Sequence, residues 1–202
     1  MPTLVAESKT IRRDLLTAED FLDWLEPGVH ADLIDGETAM HSPVGLRHAD
    51  LLNFVDRLLG IYVDQHRLGA LYREVVAVRL GSRNVFLPDL AFVPVGRLAD
   101  LPPSHIPFAP PLVVEVLSPR TAGRDVGPKF AAYEEHGVEE YWVLDPETLE
   151  HRFYARVEGI LTAFAEGEDL VPSRVVGGFH LRRAWLDPVA LPAIGDCLAE
   201  MA

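Results

Sequence analysis

The chain has 202 residues, of which 49% are hydrophobic and 24% are charged, and its formal net charge at pH 7 is -13. This composition is typical of one globular domain and excludes an intrinsically disordered chain. No uncharged apolar run approaches the roughly 18 residues that a transmembrane helix needs, which excludes an integral membrane protein. Since an acidic chain repels polyanions at long range, the charge also argues against a nucleic-acid binder that works by charge alone.

The N-terminal segment and the cysteine count bear on the cellular location and on disulfide and zinc chemistry. Residues 1–13 lack the apolar stretch of a secretory signal, so we expect a cytoplasmic protein. Cys197 is the single cysteine, which rules out an intramolecular disulfide and a cysteine-rich zinc site. We expect one domain over residues 1–202, with a core over about 30–146 and a β-rich extension over 147–202.

Helix and strand patterns alternate along the first part of the chain. Thr17 and Asp20 predict the start of a short helix, and Asp35-Gly36 between apolar runs predicts a hairpin. Apolar residues recur at helical spacing over 45–66, which predicts a long helix. Apolar runs then predict strands at 71–80, 85–93 and 112–117, with a Pro-rich loop over 98–111.

The remaining elements complete the expected fold. A helix is predicted over 126–136 and is closed by Gly137, and a further helical segment is predicted after Pro188. Strands are predicted at 140–144, 150–157, 160–165 and 179–185. This order predicts an α/β (α+β) fold with a mixed central sheet flanked by helices, an N-terminal hairpin and long helix, and a C-terminal β-meander.

Two carboxylates stand in runs that are otherwise apolar. Asp89 interrupts VFLPDLAFV at 85–93, and Glu115 interrupts LVVEVL at 112–117. Strands that are apolar on both faces are typically central, and a buried ionised carboxylate is costly there unless it is paired or holds a metal. Asp89, Glu115 and the Val116 carbonyl match the oxygen ligands of Mg²⁺, so we expect a metal site here.

Further candidate residues follow Glu115 along the chain. Lys129 lies on the next predicted helix, where a short crossover would return its amine to the carboxylates to orient water or stabilise charge on a phosphate. Tyr133 lies one turn further on and would supply a hydroxyl. Arg120 and Arg124 precede the helix, and they are either solvated loop charges or contacts to substrate phosphates.

These residues carry a resemblance to a known family. Pro88-Asp89 followed by Glu115 resembles the core of the PD-(D/E)XK nuclease superfamily. More specifically, the chain over residues 33–146 resembles the Uma2 family of restriction endonucleases. The matching segments are Gly36-Glu37, His48, PDLAFV at 88–93, VVEVLSPRT at 113–121, Lys129, Tyr133 and GVEEYWVLDP at 137–146.

The resemblance implies a restriction-endonuclease-like fold and a Mg²⁺-dependent endonuclease, with Mn²⁺ as a substitute, that hydrolyses DNA phosphodiester bonds. It implies that Glu37 is a further metal ligand and that His48 lines the site. The superfamily pattern places a lysine two residues after the glutamate, where this chain has Leu117. Lys129 is the substitute that the resemblance implies.

The partners follow from the same resemblance. DNA is the expected substrate. A homodimer is expected because two-fold symmetry is the simplest way to cut both strands of a duplex.

Several alternatives stay open at this point. Glu115 is also suited to a structural bridge with Lys129 or Arg120, and Asp89 to a strand break after Pro88, since proline cannot donate to a β-ladder. The chain is also compatible with a catalytically inactive nuclease-fold module that binds a partner. A third alternative is a metal-dependent hydrolase of a small phosphorylated substrate.

Overall fold

The computed structural model describes residues 15–26, 28–119 and 122–202. The first part contains α1 (Ala18–Trp24), β1 (Ala31–Ile34), β2 (Glu37–Met40), α2 (Leu46–Gln65), β3 (Gly69–Arg73), β4 (Ala77–Arg79), β5 (Val85–Phe86), β6 (Leu90–Pro94) and β7 (His105–Ile106). The second part contains β8 (Leu112–Val116), α3 (Ala122–Asp125), α4 (Pro128–His136), β9 (Glu140–Leu144), β10 (Arg152–Val157), β11 (Ile160–Ala163), β12 (Leu170–Pro172), β13 (His180–Arg182) and α5 (Ile194–Glu200). Short 3₁₀ helices follow β6 at Val95–Asp100 and β13 at Arg183–Trp185.

The strands form two main sheets and one small sheet. The larger sheet has six strands in the order β11-β10-β9-β8-β6-β3, and the second has five in the order β2-β1-β5-β4-β7. Within the larger sheet β8 and β9 are parallel and the other pairs are antiparallel, so it is mixed, as predicted. β12 and β13 pair separately. No helix among the described residues is long and apolar enough to span a membrane.

Helices cover both faces of the larger sheet because successive side chains of a strand point to opposite faces. On one face α2 packs through Val55 and Leu58 in the same apolar cluster as Val114 and Trp142. On the other face α4 packs through Tyr133 in a cluster with Val113 and Tyr141. The fold therefore places α4 over the face of β8 from which the side chain of Glu115 also projects.

Two of the predicted strands are each divided in the structure. Residues 71–80 divide into β3 and β4, and residues 85–93 divide into β5 and β6. In both cases the chain leaves one sheet and enters the other. The second division falls at Pro88, which has no N–H to donate to a ladder. Asp89 therefore lies in the connection before β6 and not inside a strand, which corrects the prediction.

The remaining elements lie close to their predicted positions, with small differences. The strand predicted at 179–185 is shorter, since β13 passes into a 3₁₀ helix. The sequence patterns do not predict β7, α3 or β12, because elements of 2, 4 and 3 residues are too short to show a period.

A buried histidine lies immediately before β10. His151 is buried, and its Nδ1 has no hydrogen-bond partner within the described part of the chain. Burial and the neighbouring Arg183 lower the pKa of His151 from 6.5 to about 4, against the opposing effect of Asp145. The folded protein therefore keeps this imidazole neutral at a pH where the unfolded chain protonates it.

We expect folding stability to fall as the pH drops from about 6.5 to about 4, because the unfolded chain gains a proton at His151 that the folded chain does not. This site accounts for a loss of about 3 kcal/mol by the end of that range. His151→Gln should remove this part of the pH dependence, measured as the free energy of urea unfolding. His136→Gln, at the end of α4, is the matched control, and equal pH profiles for H151Q and wild type would contradict the assignment.

Candidate active site

The pairing of β6 with β8 brings the two predicted carboxylates together. Leu90 is paired with Val114, so Asp89 faces Glu115 one step beyond the end of the ladder. The Asp89 amide donates to Glu115 Oε2 at 3.4 Å, and the Val116 amide donates to Asp89 Oδ2 at 2.6 Å. The site therefore forms where the chain has just left the second sheet and joined the larger one.

The first two turns of α4 add a cation and a hydroxyl to this pair. Pro128 begins the helix, a position where its missing N–H is not needed. Lys129 Nζ lies 2.8 Å from Glu115 Oε1, and the Tyr133 hydroxyl donates to the same oxygen at 2.9 Å. The amine of Lys129 thus reaches the carboxylate pair although Leu117 occupies the usual lysine position.

Lys129 is the centre of a buried cluster of charges. Its Nζ also lies 3.3 Å from Asp32 Oδ2 and 3.5 Å from Asp125 Oδ1. Burial alone lowers the pKa of a lysine, but Glu115, Asp32 and Asp125 outweigh it and raise the pKa of Lys129 well above its ordinary value. The amine is therefore held in its charged form.

The carboxylates of this cluster outnumber its lysine. Burial raises the pKa of Glu115 well above its ordinary value, Lys129 opposes the shift, and Asp125 and Asp89 add to it. Burial and Glu115 likewise raise the pKa of Tyr133, which therefore stays a hydrogen-bond donor. A further cation beside Glu115 would oppose these shifts, because a nearby positive charge favours the ionised form of a carboxylate.

The hairpin contributes Asp32 to the site, and the structure does not bring Glu37 there. Glu37 is exposed at the turn end of the hairpin, paired with Ile34. Asp32 is buried; its Oδ1 accepts from the Leu87 amide at 2.8 Å, and its Oδ2 lies 3.0 Å from His41 Nε2. Burial tends to raise the pKa of Asp32, but Lys129 and His41 lower it below its ordinary value. The hairpin therefore contributes Asp32, and not Glu37, to the cluster around Lys129.

Sequence reasoning missed Asp32, His41 and Asp125, although one of them carried a usable signal. Asp32 is a lone carboxylate in the otherwise apolar strand ADLI, which is the same feature that drew attention to Glu115. Asp125 lies four residues before Lys129, but the end of α3 and the start of α4 fall between them. His41 follows the hairpin without any distinguishing pattern.

The other predicted residues differ in their placement. His48, on α2, is buried with its Nε2 3.6 Å from Asp89 Oδ2. Burial lowers the pKa of His48, but Asp89 and the backbone carbonyl of Val116 raise it above its ordinary value. Arg124 is half-buried, and its Nη1 donates to the Met40 carbonyl at 3.2 Å. Arg120 lies outside the described residues.

Most of the site groups line a cavity of about 50 Å³, the candidate catalytic cavity. This volume is that of one or two water molecules. Within the described ranges no three His, Cys, Asp or Glu side chains form a complete metal cage. A Mg²⁺ site rarely needs such a cage, because the ion takes one or two carboxylates and completes its shell with carbonyl, water and phosphate oxygens. Asp89, Glu115 and the Val116 carbonyl fit that set.

Removing the central cation tests the architecture of this cluster. Lys129→Met is expected to lower the free energy of unfolding by about 3–5 kcal/mol, because it leaves Asp32, Glu115 and Asp125 buried without their cation. Urea unfolding at neutral pH measures the change. Adding Glu115→Gln to Lys129→Met removes one of the stranded charges and should restore part of the loss. A single variant as stable as the wild type would show that the amine does not support the cluster.

Comparison with known proteins agrees with this architecture. The model of the Uma2 family, described as "Putative restriction endonuclease", matches residues 18–184. A crystal structure of "a putative nuclease belonging to DUF820" from Anabaena variabilis ATCC 29413 is 21% identical, with a TM-score of 0.70 over 85% of this chain and 97% of that chain. No curated protein matches the sequence.

The structural match shows that the fold is shared, and it confirms the predicted restriction-endonuclease-like class. The family match spans the hairpin, β6, β8 and α4, which supply most of the groups described above. As the sequence motifs predicted, the chain belongs to the Uma2 family.

Proposed function

We propose that this protein is a divalent-metal-dependent endonuclease that hydrolyses DNA phosphodiester bonds. The observation that carries the proposal is the convergence of Asp89, Glu115 and Lys129, with the lysine amine 2.8 Å from Glu115 Oε1. Adjacent carboxylates beside a fixed cation in a recessed cavity are suited to phosphoryl transfer. Membership in a nuclease family supports the same reaction class and suggests DNA as the substrate.

The residues suited to hold the ion are Asp89, Glu115 and the Val116 carbonyl, with Mg²⁺ as the expected ion and Mn²⁺ as a substitute. When bound there, such an ion lowers the pKa of its water and screens the charge of the scissile phosphate. Glu115 offers Oε2, which accepts a long hydrogen bond from the Asp89 amide. Asp32 is assigned to anchoring Lys129, because its oxygens are engaged by Leu87, His41 and Lys129.

The protein side chains have distinct tasks in this proposal. Lys129 lines the catalytic cavity and stabilises charge that develops on the phosphate. Tyr133 donates to the same Glu115 oxygen as Lys129, which leaves the other oxygen turned toward Asp89. His48 contacts Asp89 from α2 and holds its orientation. Arg124, which donates to the Met40 carbonyl of the hairpin, is assigned to contact with a neighbouring phosphate, and the same role is proposed for Arg120.

Asp89→Asn and Glu115→Gln should each lower the rate of Mg²⁺-dependent DNA cleavage at least about 100-fold, the scale of removing a major electrostatic group from an active site. A fluorescently labelled oligonucleotide resolved on a denaturing gel measures the rate. Asp100→Asn removes an acid from the surface ion pair with Arg97 and is the matched control. Equal cleavage by wild type and both site variants would refute the assignment of these carboxylates.

Metal binding is tested separately from turnover. Mn²⁺ should bind the folded protein with a heat measurable by calorimetry, and at about 100 times its dissociation constant it should stabilise the fold by about 2.7 kcal/mol. Glu115→Gln should weaken both effects, since it removes one ligand charge. A folded wild-type protein without Mn²⁺ or Mg²⁺ affinity would favour the inactive binding module over the enzyme.

The homodimer and the cytoplasmic location stay predictions from the sequence. Sedimentation equilibrium of the full chain tests the first, with the mass of two chains expected.

A further inference from the structure

We infer that the substrate is single-stranded or locally unpaired DNA, one base of which binds in a pocket beside the catalytic cavity. This inference rests on the proposed nuclease function and specifies its substrate. The side pocket has a volume of about 350 Å³ and is lined mainly by His30, Met40, His41, Pro43, Val44 and Glu74. His41, Val44 and Glu74 also line the catalytic cavity, so the two spaces adjoin.

The chemistry of the side pocket suits a base better than a phosphate backbone. No lysine or arginine is among the described residues that line it, and its acidic group is Glu74. A phosphate placed there would meet a carboxylate without a fixed cation. A base, by contrast, is bound by contact of its flat faces with apolar and aromatic side chains, here Met40, Val44 and the imidazoles. Exocyclic amino groups of a base are also suitable donors to a carboxylate.

One wall of the side pocket is held in a fixed position. His41 Nε2 lies 3.0 Å from Asp32 Oδ2, and the His41 amide donates to the His30 carbonyl at 2.9 Å. Glu74 Oε1 in turn lies 3.2 Å from His30 Nδ1. Side chains that are already ordered lose little conformational entropy when a ligand binds. The side pocket is therefore preorganised for a flat ligand.

The depth of the catalytic carboxylates also disfavours an intact duplex. Glu115 is 4% exposed and the side chain of Asp89 is 13% exposed. A phosphate that enters this recess must leave the regular path of a stacked strand, and a neighbouring base that enters the side pocket must leave the stack entirely. A duplex incurs the free-energy cost of unpairing and unstacking, which a single strand or a bubble largely avoids. The net charge of -13 further weakens contact along a long duplex.

The first test compares DNA forms of one sequence. A labelled oligonucleotide is supplied as a single strand, as a duplex and as a duplex with a central bubble, each with Mn²⁺ and the full chain. The single strand and the bubble should be cut at least about ten-fold faster than the duplex. A duplex that is cut as fast as the single strand would overturn the inference and leave the proposed nuclease function standing.

The second test measures binding without metal, so that it does not depend on turnover. Val44→Asp places a second carboxylate on the wall that the two spaces share, and fluorescence anisotropy in EDTA should show at least about ten-fold weaker binding of the single strand. Val189→Asp introduces the same charge at an exposed site outside the pocket and should keep wild-type affinity. Urea unfolding checks that both variants fold.

The outcomes separate the two proposals. Single-strand binding that V44D weakens and V189D does not, combined with no cleavage of any DNA, supports the inference about the pocket and contradicts the nuclease function. Equal affinity of V44D and V189D, or tighter wild-type binding to the duplex, overturns the inference whether or not DNA is cut.

Discussion

The Lys129 amine joins parts of the protein that come from separate layers. Its carboxylate partners belong to β1 in the second sheet, to β8 in the larger sheet and to α3. Three buried carboxylates are tolerable together because this cation lies among them. The same contacts fix α4 against both sheets, so the position of the helix, the orientation of Glu115 and the shape of the catalytic cavity depend on one set of ion pairs.

The residues that sequence reasoning located best are those whose chemistry conflicts with their surroundings. Glu115 is flanked by valines, and a buried charge in such a strand demands a partner. That partner was identified as Lys129 from its order along the chain and from the helix that follows the strand, and its contact with Glu115 agrees with this expectation. The long helix α2 was predictable for a similar local reason, since its apolar residues repeat with the helical period.

The parts that were missed depend on which sheet a strand joins, and no local period records this. The run at 85–93 reads as one strand, yet it pairs first with β1 and β4 and then with β3 and β8. The side chain that the hairpin presents to the site, Asp32 and not Glu37, follows from the same arrangement of the two sheets. The charge of Asp89 in an otherwise apolar run correctly drew attention to a residue of the site, although Asp89 itself lies in the connection between β5 and β6.

The proposed metal ligands and the proposed base pocket come from different parts of the chain, and this separation affects how substitutions alter function. The proposed metal ligands belong to β8 and to the connection before β6, whereas most of the wall that would meet a base comes from residues 40–44, at the end of the hairpin and just after it. Met40 ends β2 in the second sheet, and residues 41–44 belong to no strand. Replacing Met40 or Pro43, which line the side pocket but not the catalytic cavity, is therefore a route to altered nucleotide preference in which the reaction chemistry is left in place.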